Sequence, residues 1–318
     1  MHAAAITPRG GVAHKTTRLL GQSIIEYVLI IALIGLVIVF AGPGVASAIR
    51  NQFNQVTNTV DSGTDGGNFM SAEEKAYQEA MKNIASKDAK DWTLDEQKAA
   101  ATDIAKNGTS SSVYAKAKAT MDAGTKFSVK LTNGKTLEYR IIGLNHDDLA
   151  DGSGKAGLTF EVTNTVLGSQ RMNATNANVG GWEDSELRGR LNTGDLWSLL
   201  PTEFQSKVKS VTKMTDNKGG GTAGTPSATT DKVFLLSAAE VYGDMLSDGT
   251  QYEYYKSKGV TTSSYSGASL STVFSLTSRH WTRSVRPTST YFHYVSSDGG
   301  LDYAGAMATN FVNPAFCF

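Results

Sequence analysis

An apolar run of 18 residues, Ile24 to Ala41, interrupted only by Glu26 and Tyr27, constrains this chain more than any other feature. As a helix it spans roughly 27 Å, close to the hydrocarbon thickness of a bilayer. Residues 1–21 ahead of it carry Arg9, Lys15 and Arg18 and no acid. That asymmetry keeps the N-terminus cytoplasmic and sends the rest of the chain across the membrane, a single pass with the body outside the cell. Gly42-Pro43-Gly44 interrupts the helix, because proline removes a donor and glycine is permissive. A carboxylate inside such a segment costs on the order of 2.5–3.5 kcal/mol, so Glu26 calls for a partner. Ala46-Ser47-Ala48 has the small-x-small form of a signal peptidase site. A secretory signal or a plain anchor is therefore a second reading, disfavoured because the apolar stretch is long and contains an acid.

The string Gly21-Gln22-Ser23-Ile24-Ile25-Glu26-Tyr27 resembles the processing site of type IV prepilins, most of all the Flp (Tad) branch, where a Glu-Tyr pair follows the cleaved glycine at this spacing. The resemblance implies that a prepilin peptidase cuts between Gly21 and Gln22. It also implies that Glu26, with Tyr27, serves assembly, its carboxylate neutralising the terminal amine of a neighbouring subunit. Other pilin subunits, the peptidase and the membrane are then the partners. Flp pilins are short, whereas this chain carries a large additional body, which points to a minor or tip subunit presenting a domain for adhesion. A pseudopilin of a secretion or uptake machine shares every N-terminal feature.

With 30 basic and 30 acidic side chains, the chain lacks the cationic surplus that nucleic acid demands. One cysteine excludes a disulfide framework and any multi-Cys metal site. Hydrophobic residues at 40% suffice for a core.

The sequence divides into a leader (1–21), a pilin-like hydrophobic helix (22–60), a linker and helical spacer (61–124) and a body (125–318). Ser71 with Glu74 and Thr93 with Glu96 form capping boxes that open two helices. A third helix is expected over Ser112–Asp122, ahead of Gly124. The helical section reads as a spacer or as a cover for the body. In the body, Asn133-Gly134 predicts a hairpin between Lys126–Leu131 and Thr136–Ile142. Strands are expected at Leu158–Thr163, Lys209–Lys213, Val233–Leu236, Tyr291–Val295, Tyr303–Met307 and Phe311–Phe316. Helices are expected at Glu183–Leu191 and within Asp195–Val208, and a Gly/Ser/Thr-rich loop at Thr215–Thr230. The class is α+β with an antiparallel sheet.

The runs Ile142–Asp148, Gly181–Arg188, Lys232–Ser237, Trp281-Thr282-Arg283-Ser284 and Asn313-Pro314-Ala315-Phe316 resemble, in order, a bacterial domain-of-unknown-function family found on surface and prophage-encoded proteins. The tail is similar to the closing segment of C-type-lectin-like folds of the sulfatase-modifying and phage-receptor-binding type. A formylglycine-generating-like enzyme needs paired cysteines or a copper site. The single Cys317 argues against carrying that activity over, so the chain is read as non-enzymatic and without cofactor.

Asn145–Gly154 holds three aspartates, but Leu149 breaks the EF-hand pattern, and an Asp/Gly turn is the simpler account. His146, His280 and His293 match no compact metal motif. Trp182, Glu183 and Arg188 read as a packed helix start. Cys317 reads as a small buried residue. Aromatic and Arg side chains on loops suit recognition of a glycan or protein, so Trp281, Arg283, Tyr291, Tyr294 and Tyr303 are the candidate ligand-binding residues, with Val295–Ala308 as the binding loop. Half of that set is equally suited to form the core.

Overall fold

The computed structural model describes residues 70–243, 246–266, 271–274 and 278–318. The prepilin-like string, Glu26 and the apolar run lie outside them. Among the described residues no helix is long and apolar enough to cross a membrane.

Three helices come first: α1 (Ala72–Ser86), α2 (Leu94–Asn107) and α3 (Tyr114–Ala123). The Thr93 hydroxyl accepts from the Glu96 amide, and the Glu96 carboxylate accepts from the Thr93 amide at 2.8 Å, closing the expected capping box. Gly124, in the left-handed region at φ 64°, ends α3.

The first sheet has the order β1-β2-β3-β12-β7, built from β1 (Lys126–Lys130), β2 (Thr136–Leu144), β3 (Leu158–Val162), β7 (Val233–Phe234) and β12 (Ala315–Cys317). All its pairings are antiparallel. Gly134 at φ 81° makes the β1–β2 turn. The second sheet, β10-β9-β8-β11-β4, contains β4 (Ser169–Gln170), β8 (His280–Val285), β9 (Tyr291–Val295), β10 (Leu301–Gly305) and β11 (Asn310–Phe311). A separate hairpin joins β5 (Val211–Thr215) to β6 (Ser227–Asp231). Short helices α4 (Glu186–Asn192), α5 (Asp195–Ser198), α6 (Thr202–Gln205), α7 (Ala238–Tyr242), α8 (Glu253–Ser257) and α9 (Ser271–Phe274) connect these strands.

The two faces of the first sheet differ in chemistry, as strand alternation requires. One face carries Tyr139, Phe160 and Phe316, which pack edge-on or stacked at 5.3–5.5 Å with one another. Phe127, Phe204 and Phe318 join them. The other face carries Arg140, Thr159, Glu161 and Cys317, all buried.

Ala72–Phe318 form one compact unit, in which the helical section packs against the body. Gln97 of α2 accepts from the Tyr139 hydroxyl at 3.0 Å, and Trp92 stacks on Phe127. The Thr215–Thr230 loop contains most of strand β6, and β8, unforeseen from the sequence, is the centre of the second sheet. Every residue of β8 is buried, so it lacks the alternation that marks a half-exposed strand. The mixed helix-and-sheet class stands.

Candidate functional site

Strand β8 decides the fate of the candidate binding residues. Arg283 is fully buried. Its guanidinium donates to both oxygens of Glu240, at 2.9 Å for the longer contact, and to the carbonyls of Leu235 and Asp248. Trp281 is buried too, its indole N–H donating to the Gln170 carbonyl at 2.8 Å. Tyr294 is buried, with its hydroxyl on Asp302 at 2.8 Å. These three support the sheet and are almost wholly inaccessible. Tyr291 is half-buried, and Tyr303 is 41% exposed. The Tyr303 ring is already engaged: the Arg286 guanidinium lies 3.6 Å from its centroid and Tyr291 stacks on it at 5.8 Å.

The chemistry gathers instead behind the polar face of the first sheet. Ser237 and Glu240 form a capping box that starts α7 and fixes the Glu240 carboxylate. Lys213 of β5 donates to Glu240 at 2.5 Å and to Asp147 at 2.6 Å. Asp147 also accepts from the Tyr252 hydroxyl at 2.9 Å and from Thr159 at 2.5 Å. Gly143 makes this possible, because a Cβ there would lie 2.9 Å from the Tyr252 ring. Burial disfavours the Asp147 carboxylate, but the Lys213 ammonium and then His146 outweigh it and hold the carboxyl well below its usual range. Burial likewise opposes charge on Lys213, and Asp147 and Glu240 restore it, raising its pKa. Glu240 is held low against burial by Arg283 and Lys213. Tyr252 is pushed well above its ordinary value by burial and the Asp147 charge.

Asp147, Lys213 and Glu240 form the floor of an open cleft of about 290 Å³. Its rim holds Asp148 paired with Lys155 at 2.8 Å, together with Thr212, Met214 and Thr250. One wall is His146, stacked on Tyr252 with centroids 4.0 Å apart. Its Nδ1 faces Glu253 at 3.2 Å and its Nε2 faces the Thr250 carbonyl at 3.1 Å. Both partners are acceptors, so both ring nitrogens must donate, which requires the imidazolium. Burial lowers the His146 pKa, but the Glu253 hydrogen bond and the Asp147 charge win and raise it.

The three-aspartate segment therefore splits by role. Asp147 joins the floor, Asp148 the rim, and Asp151 caps its own turn by accepting from the Ser153 amide and hydroxyl. His280 lies against Phe274 and His293 near Tyr303, so the three histidines do not converge. Among the described residues no group of three or more His, Cys, Asp or Glu is placed to hold a metal. Trp182 is buried, with its N–H on Asp231 at 3.1 Å, and Arg188 pairs with the same carboxylate at 2.6 Å. Glu183 is exposed. Cys317 is buried beside Thr159, its sulfur 3.5 Å from Asp147.

Sequence reasoning missed Lys213, Glu240 and Tyr252. The Ser237-x-x-Glu240 capping box was a readable sign of α7; nothing local marks the other two.

Residues 156–318, running from the buried Ala156 to the last residue of the chain, match the family described as a domain of unknown function (DUF6273). The chain belongs to this family. The DUF6273 match contains Lys213, Glu240, Tyr252 and Arg283, while Asp147 and His146 lie just ahead of it. It includes none of the prepilin-like string. No curated protein and no solved structure matches the chain.

Proposed function

We propose that this DUF6273 protein is a pilin-like cell-surface protein, a minor or tip subunit of a Tad-type pilus whose body is a non-enzymatic, C-type-lectin-like binding domain. The observation that carries the reading is the string Gly21 to Tyr27 at the mouth of an 18-residue apolar run. Cleavage between Gly21 and Gln22 leaves a helix that packs among other pilin subunits. There Glu26 meets a neighbour's terminal amine, a pairing that offsets the cost of a carboxylate in the membrane. The leader is cytoplasmic and the body extracellular. The lectin-like reading is supported by the closing strand β12, which inserts between β3 and β7 and ties the end of the chain into the first sheet. The extracellular ligand is a glycan or a protein.

The test is the first residue of the mature protein, read by intact mass and N-terminal peptide mapping of membrane and sheared-surface fractions. A start at Gln22 supports the pilin reading. A start after Ala48 makes the protein a freely secreted one and sinks it, and an intact Met1 leaves a plain anchor.

A further inference from the structure

We propose that the cleft over Asp147, Lys213 and Glu240 is the ligand site of the body, and that it takes a neutral, polyhydroxylated molecule the size of about one sugar ring. The inference rests on the reading of the body as a binding domain and supplies the location and ligand chemistry that reading lacks.

The charges of the cleft cancel in pairs. On the floor, Asp147 and Glu240 are balanced by Lys213 and by Arg283 behind it. On the rim, Asp148 pairs with Lys155 and Glu253 with the His146 imidazolium. An ionic ligand meets no net charge here, and binding it through the floor groups means breaking a buried pair, which leaves an uncompensated charge. The rim pairs are more exposed, but each charge there already has its partner. An apolar ligand would strip water from a lining made mostly of charged and hydroxyl side chains, which is costly without replacement hydrogen bonds. A neutral ligand rich in hydroxyls replaces that water and leaves every pair intact.

Hydrogen-bonding capacity remains where such a ligand would sit. Among the described residues the Thr212 and Thr250 hydroxyls make no hydrogen bond, and Asp148 and Glu253 each use one oxygen in their pairs. A carboxylate oxygen left over in this way accepts from a ligand hydroxyl with a charge-assisted bond. Met214, 42% exposed at the lip, offers an apolar contact for a C–H face. The volume, about 290 Å³, lies at the lower end of ligand pockets. By contrast the Tyr303 patch has its ring already occupied by Arg286 and Tyr291.

The test uses the full chain in a zwitterionic detergent without a sugar head group. Methyl glycosides of glucose, galactose, mannose and N-acetylglucosamine, with glucuronate as a charged comparison, are screened by saturation-transfer NMR and titrated by calorimetry. The expected result is binding of at least one neutral glycoside and no preference for glucuronate. Asp148→Ala and Thr250→Ala, both on the rim, should each weaken that binding tenfold or more, while Tyr303→Ala leaves it unchanged. Binding that survives both rim variants overturns the cleft as the site and leaves the binding-domain reading standing, the more so if Tyr303→Ala abolishes it. No binding by any neutral glycoside, or preference for glucuronate, overturns the ligand class. The position of the mature N-terminus, measured separately, decides the pilin reading whatever the sugars do.

Discussion

Arg283 and Glu240 form a buried, two-pronged ion pair, and Lys213 shares the same carboxylate. Within a buried network of this kind, removing one partner costs more than the pair contributes, because the charge left behind has lost its water. Arg283→Met should therefore destabilise the body by about 3–5 kcal/mol. Arg283→Lys should rescue little of it, because an ammonium cannot make the same fork. Tyr303→Ala, on the surface, should stay within about 1 kcal/mol. Denaturant unfolding followed by tryptophan fluorescence measures this cleanly, since Trp92, Trp182, Trp197 and Trp281 all lie in the Ala72–Phe318 unit. Equal sensitivity of the two sites would contradict the assignment of Arg283 to the interior.

The same pair shows which parts of the molecule can be read from sequence. The Thr93–Glu96 box, the Asn133-Gly134 turn and the strands at 158–162 and 291–295 are local patterns, and they appear where those patterns place them. Arg283 and Glu240 are 43 residues apart, and Lys213 and Asp147 are 66 apart. Nothing local announces a partner at that range, so a buried arginine in His280–Val285 reads like a surface one. Trp281 and Tyr294 mislead for the same reason, since an aromatic ring with one polar atom serves a core and a binding loop equally well. Of the cleft, the sequence marked only the Asn145–Gly154 segment with His146, Asp147 and Asp148.

His146 and His280 should give opposite pH dependences. The folded-state pKa of His146 is raised, so its contribution is fully present below about pH 6.5, the unfolded value, and is lost as pH rises through the folded value. His280 is buried against Phe274, and burial takes its pKa down to about 4. It must stay neutral to remain folded, so it weakens the protein as pH falls from about 6.5 towards 4. The stability gap between wild type and His146→Phe should accordingly shrink on going from pH 6 to pH 9. His280→Phe should lose less stability than wild type between pH 6.5 and pH 4.5. Unfolding midpoints of the three proteins across this range check both signs, and parallel curves would refute the proton assignments.

Cys317 should be inert in the native protein. Burial, and next the Asp147 charge beside it, push its thiol well above the ordinary range, and the thiolate is the reactive form. A maleimide at pH 8 should leave the folded chain unlabelled and modify it fully in denaturant. Prompt stoichiometric labelling of the native chain would show that the Thr159–Asp147–Cys317 corner opens to solvent.

Helix α2 and the residue leading into strand β3 touch so closely that only glycine fits there. A Cβ on Gly157 would lie 1.8 Å from the Ala101 carbonyl oxygen, a clash that only a shift of the helix or the strand can relieve. Gly157→Ala should therefore cost about 3 kcal/mol or more, at the upper end of overpacking effects. Gly189 in α4 is the matched control: it is exposed, nothing lies within 4 Å of its added Cβ, and Gly189→Ala should gain about 0.5–1 kcal/mol from helix propensity and reduced chain entropy. The comparison tests whether the helices belong to the body, since a detachable spacer would yield at Gly157 without cost. Loss of stability at residue 157 with a gain at 189, in the same tryptophan-detected transition, is the outcome that a single cooperative unit from Ala72 onwards requires.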